Sequence, residues 1–365
     1  MNRMKKIRSI RRMNWEDSHL KPELEKLCQE FISNRDTVEK VFRWDNSALH
    51  TVCANIFCAH GETAEPERLE ECRRIIRDST GFLSKFRSRK VRSILAAMLC
   101  LQDKPEDRMT QANDYFRLLK RQFKGSEYLV LTTFLLADLA DQPLTEETIS
   151  RGKEIYTRMN RQHRMLTDKT DSVFAMLMAF SEKTADELTS ETEACYQALK
   201  KKFSSGGAQT AAQILSMAGG APEEKVQRVT ALYDALQEAE IKYGHSGELA
   251  PLAALSLADT PLSVLTEEIK EVDEFLKTQR GFRGSKDDER AQRAMYAVMI
   301  VSDQYAGTEQ VNITVMTNTI DMLIAKQQAS RISLFMNLLQ FAVKLLPEEK
   351  EQPEGEQKQD DAPAE

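Results

Sequence analysis

The clearest signal of the fold class is Ser93-Ile-Leu-Ala-Ala-Met-Leu-Cys-Leu101, which is followed by Asp103-Lys-Pro105. It is a short, almost wholly apolar run with small residues, and an acidic residue then stands two positions before a proline. Proline is tolerated in the first turn of a helix because its missing N–H would have no partner there. The stretch therefore predicts the end of one buried helix and the start of a second helix.

The proline marker recurs along the chain. Pro66, Pro105, Pro143, Pro222 and Pro261 are separated by 39, 38, 79 and 39 residues, and 79 is close to two periods. Thr184-Ala-Asp-Glu187 fills the position left open and is predicted to form a capping box at a helix start. Similar apolar runs stand before the markers at residues 129–139, 173–180, 211–218 and 252–258. The chain is therefore a tandem repeat.

Each marker opens a longer amphipathic helix with an aromatic residue near its end. Tyr115, Tyr156, Tyr196 and Tyr233 follow one another at intervals of 41, 40 and 37 residues, and glycine-bearing connections follow several of these helices. One unit of about 40 residues is thus predicted to be a helix, a turn, a second helix and a loop. A single helix pair cannot bury its apolar face, whereas stacked pairs can.

The sequence predicts an all-α fold. We expect an α-solenoid that forms a right-handed superhelix of about six helix-turn-helix repeats, with a period near that of HEAT, armadillo and tetratricopeptide arrays. A single helical-repeat domain is expected at residues 20–346, with caps at 20–45 and 305–346. Residues 1–19 are predicted to be a basic segment, disordered or helical, and residues 347–365 an acidic disordered tail.

Composition and charge exclude several classes of protein. The 365 residues include 51 Lys and Arg against 57 Asp and Glu, a formal charge of −6, which argues against a general nucleic-acid binder. No apolar stretch approaches the roughly 18 residues of a membrane span, and no apolar run follows the basic start as in a secretory signal. The six cysteines include no C-x-x-C pair, which indicates reduced thiols in a cytoplasmic protein.

The helices also carry a family resemblance. The run from Leu24-Glu-Lys-Leu-Cys-Gln-Glu-Phe-Ile32, through the repeated Leu/Ala helices, to Ala294-Met-Tyr-Ala-Val-Met299 resembles a family of helical proteins from Gram-positive bacteria. That family is catalogued as domain of unknown function 4003. The resemblance covers roughly residues 20–345 and rests on the overall pattern rather than on a sharp motif. It implies a bacterial cytoplasmic protein and supplies no activity and no site residues.

Few residues match the patterns of catalytic or metal sites. His50-x-x-Cys53 and Cys58-x-His60 together resemble part of a zinc site, but the second pair lies off the helix face of the first. Gly281-Phe-Arg-Gly284 matches a fragment of RNA-clamping loops without the surrounding α/β pattern, so it predicts a helix-ending loop. No phosphate-binding or nucleophile motif is present. We predict no catalytic residues, no cofactor and no metal.

A column of basic residues is the main candidate for a binding site. Three successive amphipathic helices end in cations that the repeat register stacks, and the next unit reverses the sign at Glu238 and Glu240. Cations at helix C-termini are favourable by about 0.3–1 kcal/mol each, so one interpretation is purely local. The other is a docking ridge for an acidic partner, a phosphorylated group or the acidic tail. The candidate residues are Arg117, Lys120, Arg121, Arg158, Arg161, Arg164, Lys200, Lys201 and Lys202.

These observations favour binding over catalysis. We predict a non-enzymatic helical-repeat scaffold that binds a protein or peptide partner, since stacked helices present long surfaces. Two alternatives stay open: an anion or nucleic-acid binder that uses the basic column, and an enzyme with an inter-helix pocket that no motif reveals. An apolar face at residues 332–346 is predicted to cap the array, or to form a homodimer or membrane-surface contact.

Overall fold

The computed structural model describes residues 20–139, 144–167, 171–181 and 183–305. These residues form α-helices and one short 3-10 helix, without any strand, which confirms the predicted all-α class. None of the described helices is both long and apolar enough to cross a bilayer. The helices are α1 Pro22–Val41, α2 Ser47–Ala59, α3 Pro66–Asp78, α4 Arg92–Cys100, α5 Pro105–Leu119, α6 Glu127–Leu139, α7 Glu146–Gln162, α8 Asp171–Met178, α9 Ala185–Leu199, α10 Ser205–Met217, α11 Pro222–Glu238, α12 Leu249–Leu255, α13 Leu262–Thr278 and α14 Asp287–Gln304; the 3-10 helix is Lys85–Arg87.

The helices alternate between an outer and an inner position. The odd-numbered helices are outer and bury one stripe of side chains, as α3 does with Leu69, Cys72, Ile75 and Ile76. The even-numbered helices are inner: α8 and α12 are buried along their whole length, and α2 is buried except at its first residue. A helix buried on all sides must be surrounded by protein. The even-numbered helices therefore form the core.

The repeat markers begin helices as predicted. Pro66, Pro105 and Pro222 lie in the first turns of α3, α5 and α11, and Pro261 immediately precedes α13. Thr184 caps α9: its hydroxyl accepts from the Glu187 amide, and the Glu187 carboxylate accepts from the Thr184 amide. Pro143 lies outside the described residues. So do the predicted basic segment, the acidic tail and the apolar face at residues 332–346.

Each outer helix contacts the inner helix that follows it, so the described chain forms seven antiparallel hairpins, from α1–α2 to α13–α14. Every hairpin contacts the next one through its outer helices, its inner helices or both. The last hairpin also contacts the first: α13 and α14 pack on α1, and α14 packs on α2. The seven hairpins therefore form a closed ring.

The predicted α-solenoid with a right-handed superhelix of about six repeats is not confirmed, because the described helices form seven hairpins and the last hairpin packs on the first. The outer helix α1, which the sequence analysis places in an N-terminal cap, is covered by α13 and α14. An open array leaves an apolar surface at each end and needs caps to cover it. Here the first and last hairpins cover each other, and α1 of the predicted N-terminal cap belongs to the first hairpin. The predicted C-terminal cap at residues 305–346 lies outside the described residues apart from Tyr305.

We call the contact between the first and last hairpins the seam. Phe31 of α1 is fully buried there, and its ring centroid lies 6.2 Å from that of Phe282 and 6.4 Å from that of Tyr296. Towards the other end of the seam, Lys21 Nζ lies 2.5 Å from Glu268 Oε1 on α13. Apolar packing and an ion pair thus join residues near the two ends of the described chain.

Basic side chains of the outer helices bind carbonyl groups at the ends of the inner helices. Arg68 of α3 donates to the Gln102 carbonyl after α4 at 2.9 Å. Arg228 of α11 donates to three carbonyl groups after α12, among them that of Ala258 at 2.6 Å. The last carbonyl groups of a helix have no partner within the helix. The bonds from Arg68 and Arg228 satisfy carbonyl groups just beyond these helix ends, and they fix the turns after α4 and α12 to α3 and α11.

Candidate functional site

The two ends of the ring differ in the loops that they carry. Because each hairpin is antiparallel, all loops that lead from an outer helix to the following inner helix lie at the same end. Successive loops touch there: Arg92 binds Asp45 at 2.6 Å, and the Ser204 amide donates to the His245 carbonyl at 3.1 Å. We call this end the basic face. Its loops are residues 42–46, 79–91, 120–126, 163–167, 200–204, 239–248 and 279–286.

Charge is separated between the two ends. The acids among the loop residues of the basic face are Asp45, Glu240 and Glu248, whereas its cations are Arg43, Lys85, Arg87, Arg89, Lys90, Lys120, Arg121, Lys124, Arg164, Lys200, Lys201, Lys202, Lys242, Arg280, Arg283 and Lys286. The opposite end holds the first turns of the outer helices, which contain the cations Arg68, Arg108 and Lys225. The acids of these turns are more numerous: Glu23, Glu25, Glu67, Glu106, Asp107, Glu146, Glu147, Asp186, Glu187, Glu223 and Glu224. The ring is therefore polar along its axis, although the whole chain carries only a modest net charge.

The predicted basic column lies at this face. Its residues occupy the last turns of α5, α7 and α9 or the loops directly after them, on consecutive outer helices. The four that form ion pairs are Arg117, Arg121, Arg158 and Lys202, and Lys120 and Lys200 lie over aromatic rings. In the described chain, Arg161, Arg164 and Lys201 have no ion-pair partner. These three cations are available to an external anion, whereas the other six already contact carboxylates or aromatic rings of the protein.

Four large hydrophobic side chains project from the basic face. Trp44, Phe82, Leu83 and Met165 are 72%, 85%, 89% and 99% exposed. They are the exposed large hydrophobic residues of the described ranges, and all four lie in loops of this face. Sequence reasoning missed them because an apolar residue in a loop carries no periodic signal. Single exposed apolar residues are normal, whereas a contiguous exposed patch is typical of an interaction site.

A cavity of about 400 Å³ lies in the seam, next to the basic face. Its lining includes Arg35 and Arg293, both buried, and the exposed Arg280. Arg293 donates to both carboxylate oxygens of Asp273, at 2.9 and 3.1 Å, and Arg35 donates to the Arg280 carbonyl at 2.8 Å. Gly281 turns the chain at the rim with a φ of +91°. Arg35 thus joins the first hairpin to the last across this cavity, whereas Arg293 joins α14 to α13 within the last hairpin.

The side chains that resemble part of a zinc site either contact backbone carbonyl groups or lie in the core. The Nε2 atom of His50 lies 2.9 Å from the Phe42 carbonyl oxygen, and the Nδ1 atom of His60 lies 3.0 Å from the Ile56 carbonyl oxygen. Cys53 is fully buried. Over the ranges that the structure describes, no group of three or more His, Cys, Asp or Glu side chains is arranged to hold a metal ion.

Comparison with known proteins gives the chain a family. No curated protein and no solved structure shows significant similarity to it. The family model described as Protein of unknown function (DUF4003) matches residues 34–329, which run from the middle of α1 past the end of α14. The match spans most of the chain and nearly the whole ring. The chain therefore belongs to the DUF4003 family.

Proposed function

We propose that this protein is a non-enzymatic binding module that docks an acidic protein partner on its basic face. The observation that carries the proposal is the position of the exposed apolar side chains. Trp44, Phe82, Leu83 and Met165 all lie among the cations of one end of the ring. Protein interfaces combine large apolar or aromatic anchors with a polar, solvent-accessible rim. The basic face has both parts before any partner is bound.

The stability of the individual helices explains the cations of the basic face but not its exposed apolar side chains. Cations near the C-termini of the outer helices are favourable by about 0.3–1 kcal/mol each, so the helices themselves can select them. The same effect gives no reason for exposed apolar side chains. Covering a side chain such as Phe82 or Leu83 stabilises by roughly 1.5–3 kcal/mol. A partner that covers them accounts for both the charge and the apolar exposure.

The basic column supplies orientation and attraction. Arg161, Arg164 and Lys201, which have no ion pair within the described chain, are the cations that an acidic partner meets without breaking a contact in the ring. Charge complementarity of this kind mainly raises the association rate and makes it depend on salt. The acidic opposite end repels the same partner. The polarity of the ring therefore selects one docking direction.

An acidic protein suits the face better than a nucleic acid does. Trp44 and Phe82 have rings on which a base could stack, but Leu83 and Met165, the two most exposed of the four apolar residues, have none. Nucleic-acid binders are normally basic overall, whereas this chain carries −6. The proposal includes a cytoplasmic location in a bacterium, as the family resemblance implies. The free thiols of the cysteines support a reducing compartment.

The proposal can be tested by affinity capture from the native cell with four versions of the full chain. They are the wild type, an apolar variant (Phe82→Ser with Leu83→Ser), a charge variant (Arg161→Glu with Lys201→Glu) and a control. The control, Lys26→Glu with Lys104→Glu, makes the same change in net charge at exposed positions away from the basic face. We expect the wild type and the control to retain one acidic protein that the other two variants lose.

The affinity of the purified chain for the captured protein gives a quantitative test. Binding of the captured protein to the purified chain is expected to weaken as salt rises, and the charge variant is expected to show a smaller salt dependence than the wild type. Equal recovery by all four versions would overturn the proposal. Recovery of RNA or DNA that nuclease removes would favour the nucleic-acid alternative, and a small metabolite retained on purification would favour the enzyme.

A further inference from the structure

Two cysteine thiols meet at the contact between an outer and an inner helix. Cys72 lies in the middle of α3, and Cys100 is the last residue of α4. Their Sγ atoms are 3.5 Å apart, and the Cys100 thiol donates a hydrogen bond to the Cys72 sulfur. The sequence shows no C-x-x-C motif because the pair forms only when α4 packs back on α3. The contact brings together two groups that can form one covalent bond.

A cation stands beside this pair. Arg68 precedes Cys72 by one helical turn on α3, and its guanidinium is held by Glu71 at 2.7 Å and by the Gln102 carbonyl at 2.9 Å. The hydrogen bond from Cys100 and then the charge of Arg68 hold the pKa of the Cys72 thiol below its ordinary value. A thiol is nucleophilic as its thiolate, so this setting favours reaction.

The other cysteines lie in a different environment. Cys28 and Cys195 are buried, and burial raises the pKa of each thiol to about 12. Burial also raises the pKa values of Cys53 and Cys58. Cys72 is buried as well, whereas Cys100 is partly exposed to solvent. Of the six thiols, Cys100 is therefore the one through which a small oxidant can reach sulfur, and it leads directly to Cys72.

We propose that Cys72 and Cys100 form a redox-sensitive pair that a hydroperoxide converts into a disulfide. The thiolate of the pair attacks the peroxide, so that an S–O bond forms, the O–O bond breaks and the alcohol, or water from hydrogen peroxide, leaves with a proton. The second thiol then attacks the sulfenic sulfur; the S–S bond forms, the S–O bond breaks and water leaves. Two thiols are oxidised and one hydroperoxide is reduced.

The geometry requires little movement for this reaction. An S–S bond is about 2 Å long, so the two sulfur atoms must approach by roughly 1.5 Å from their present contact. The disulfide would join the middle of α3 to the end of α4, away from the loops of the basic face. The modification therefore does not depend on the proposed docking function, and either proposal can fail without the other.

The test is a titration of the full-length chain with hydrogen peroxide, followed by alkylation of free thiols under denaturing conditions and intact mass measurement. We expect two fewer alkylated thiols after oxidation, reversal by dithiothreitol, and a cross-linked peptide that contains Cys72 and Cys100. The Cys100→Ser variant is expected to lose this cross-link. Cys195→Ser, which removes a buried thiol elsewhere, is the matched control and is expected to keep it.

Several outcomes would overturn the proposal. They are full alkylation after peroxide treatment, a cross-link that maps to other cysteines, and oxidation that joins two chains instead of two residues of one chain. Circular dichroism before and after oxidation shows whether the ring stays folded. If Cys100→Ser fails to fold, the cross-link map of the wild type decides the question alone.

Discussion

Closure of the ring can be tested by a double-mutant cycle across the seam. Phe31 on α1 and Phe282 after α13 are both buried, and their ring centroids lie 6.2 Å apart although they come from opposite ends of the described chain. An aromatic pair at this distance contributes about 0.5–1.5 kcal/mol beyond the area that it buries. We expect the two substitutions to be coupled by this amount. In an open array they would be additive within about 0.3–0.5 kcal/mol.

The substitutions are chosen so that the ring still folds. Phe31→Leu and Phe282→Leu remove the aromatic rings but keep an apolar side chain, so each is expected to lower the free energy of unfolding by roughly 1–2 kcal/mol. Urea unfolding of the wild type, both single variants and the double variant, followed by circular dichroism, gives the coupling energy. Tyr296, whose ring lies 5.6 Å from that of Phe282, stays in all four proteins.

A matched control pairs Phe31→Leu with Phe134→Leu. Phe134 is an equally buried ring on α6, which does not pack against α1. This pair is expected to be additive. A coupling energy between Phe31 and Phe282 that is no larger than that of the control pair would refute the closed ring.

Three further predictions concern positions in and beside the ring. Gly207→Ala is expected to lower the free energy of unfolding by about 1–3 kcal/mol, because its Cβ would lie 2.5 Å from a carbonyl oxygen of the next loop. Gly219→Ala is the control for thermal unfolding, because a Cβ at that position meets nothing within 4 Å. Equal melting temperatures of the two variants would contradict the predicted clash at Gly207. Arg228→Met is expected to lower the free energy of unfolding by about 1–3 kcal/mol, because the carbonyl groups after α12 lose their donor. An unchanged urea midpoint would show that these hydrogen bonds do not stabilise the fold. Hydrogen bonds from Arg280 hold the pKa of Glu39 below its ordinary value of 4.5. The stabilisation that they give the folded state is therefore present above pH 4.5 and is lost as the pH falls through the lowered pKa. The urea midpoint of Glu39→Gln is expected to vary less with pH in this acidic range than that of the wild type, and an identical pH dependence would contradict the assignment.

The candidate binding surface could be predicted only in part. The register of the repeat placed Arg161 and Lys201 at matching helix ends, because cations there follow a local rule. The exposure of Phe82 and Leu83 could not be predicted, since it depends on which surfaces the other hairpins leave uncovered. Sequence reasoning also missed the thiol pair, because its two residues come from different helices.

The helices and their order could be predicted from local signals in the sequence. The proline at the start of α5 and the capping box at the start of α9 act within one helical turn, and the apolar run of α12 predicts a buried helix whatever surrounds it. Closure of the array, in contrast, depends on contacts between helices that are far apart in the sequence. The rotation from one hairpin to the next is set by side-chain packing at each interface, and small differences accumulate over seven hairpins. Whether these rotations add up to a full turn depends on all the interfaces together, so it cannot be predicted from any single repeat.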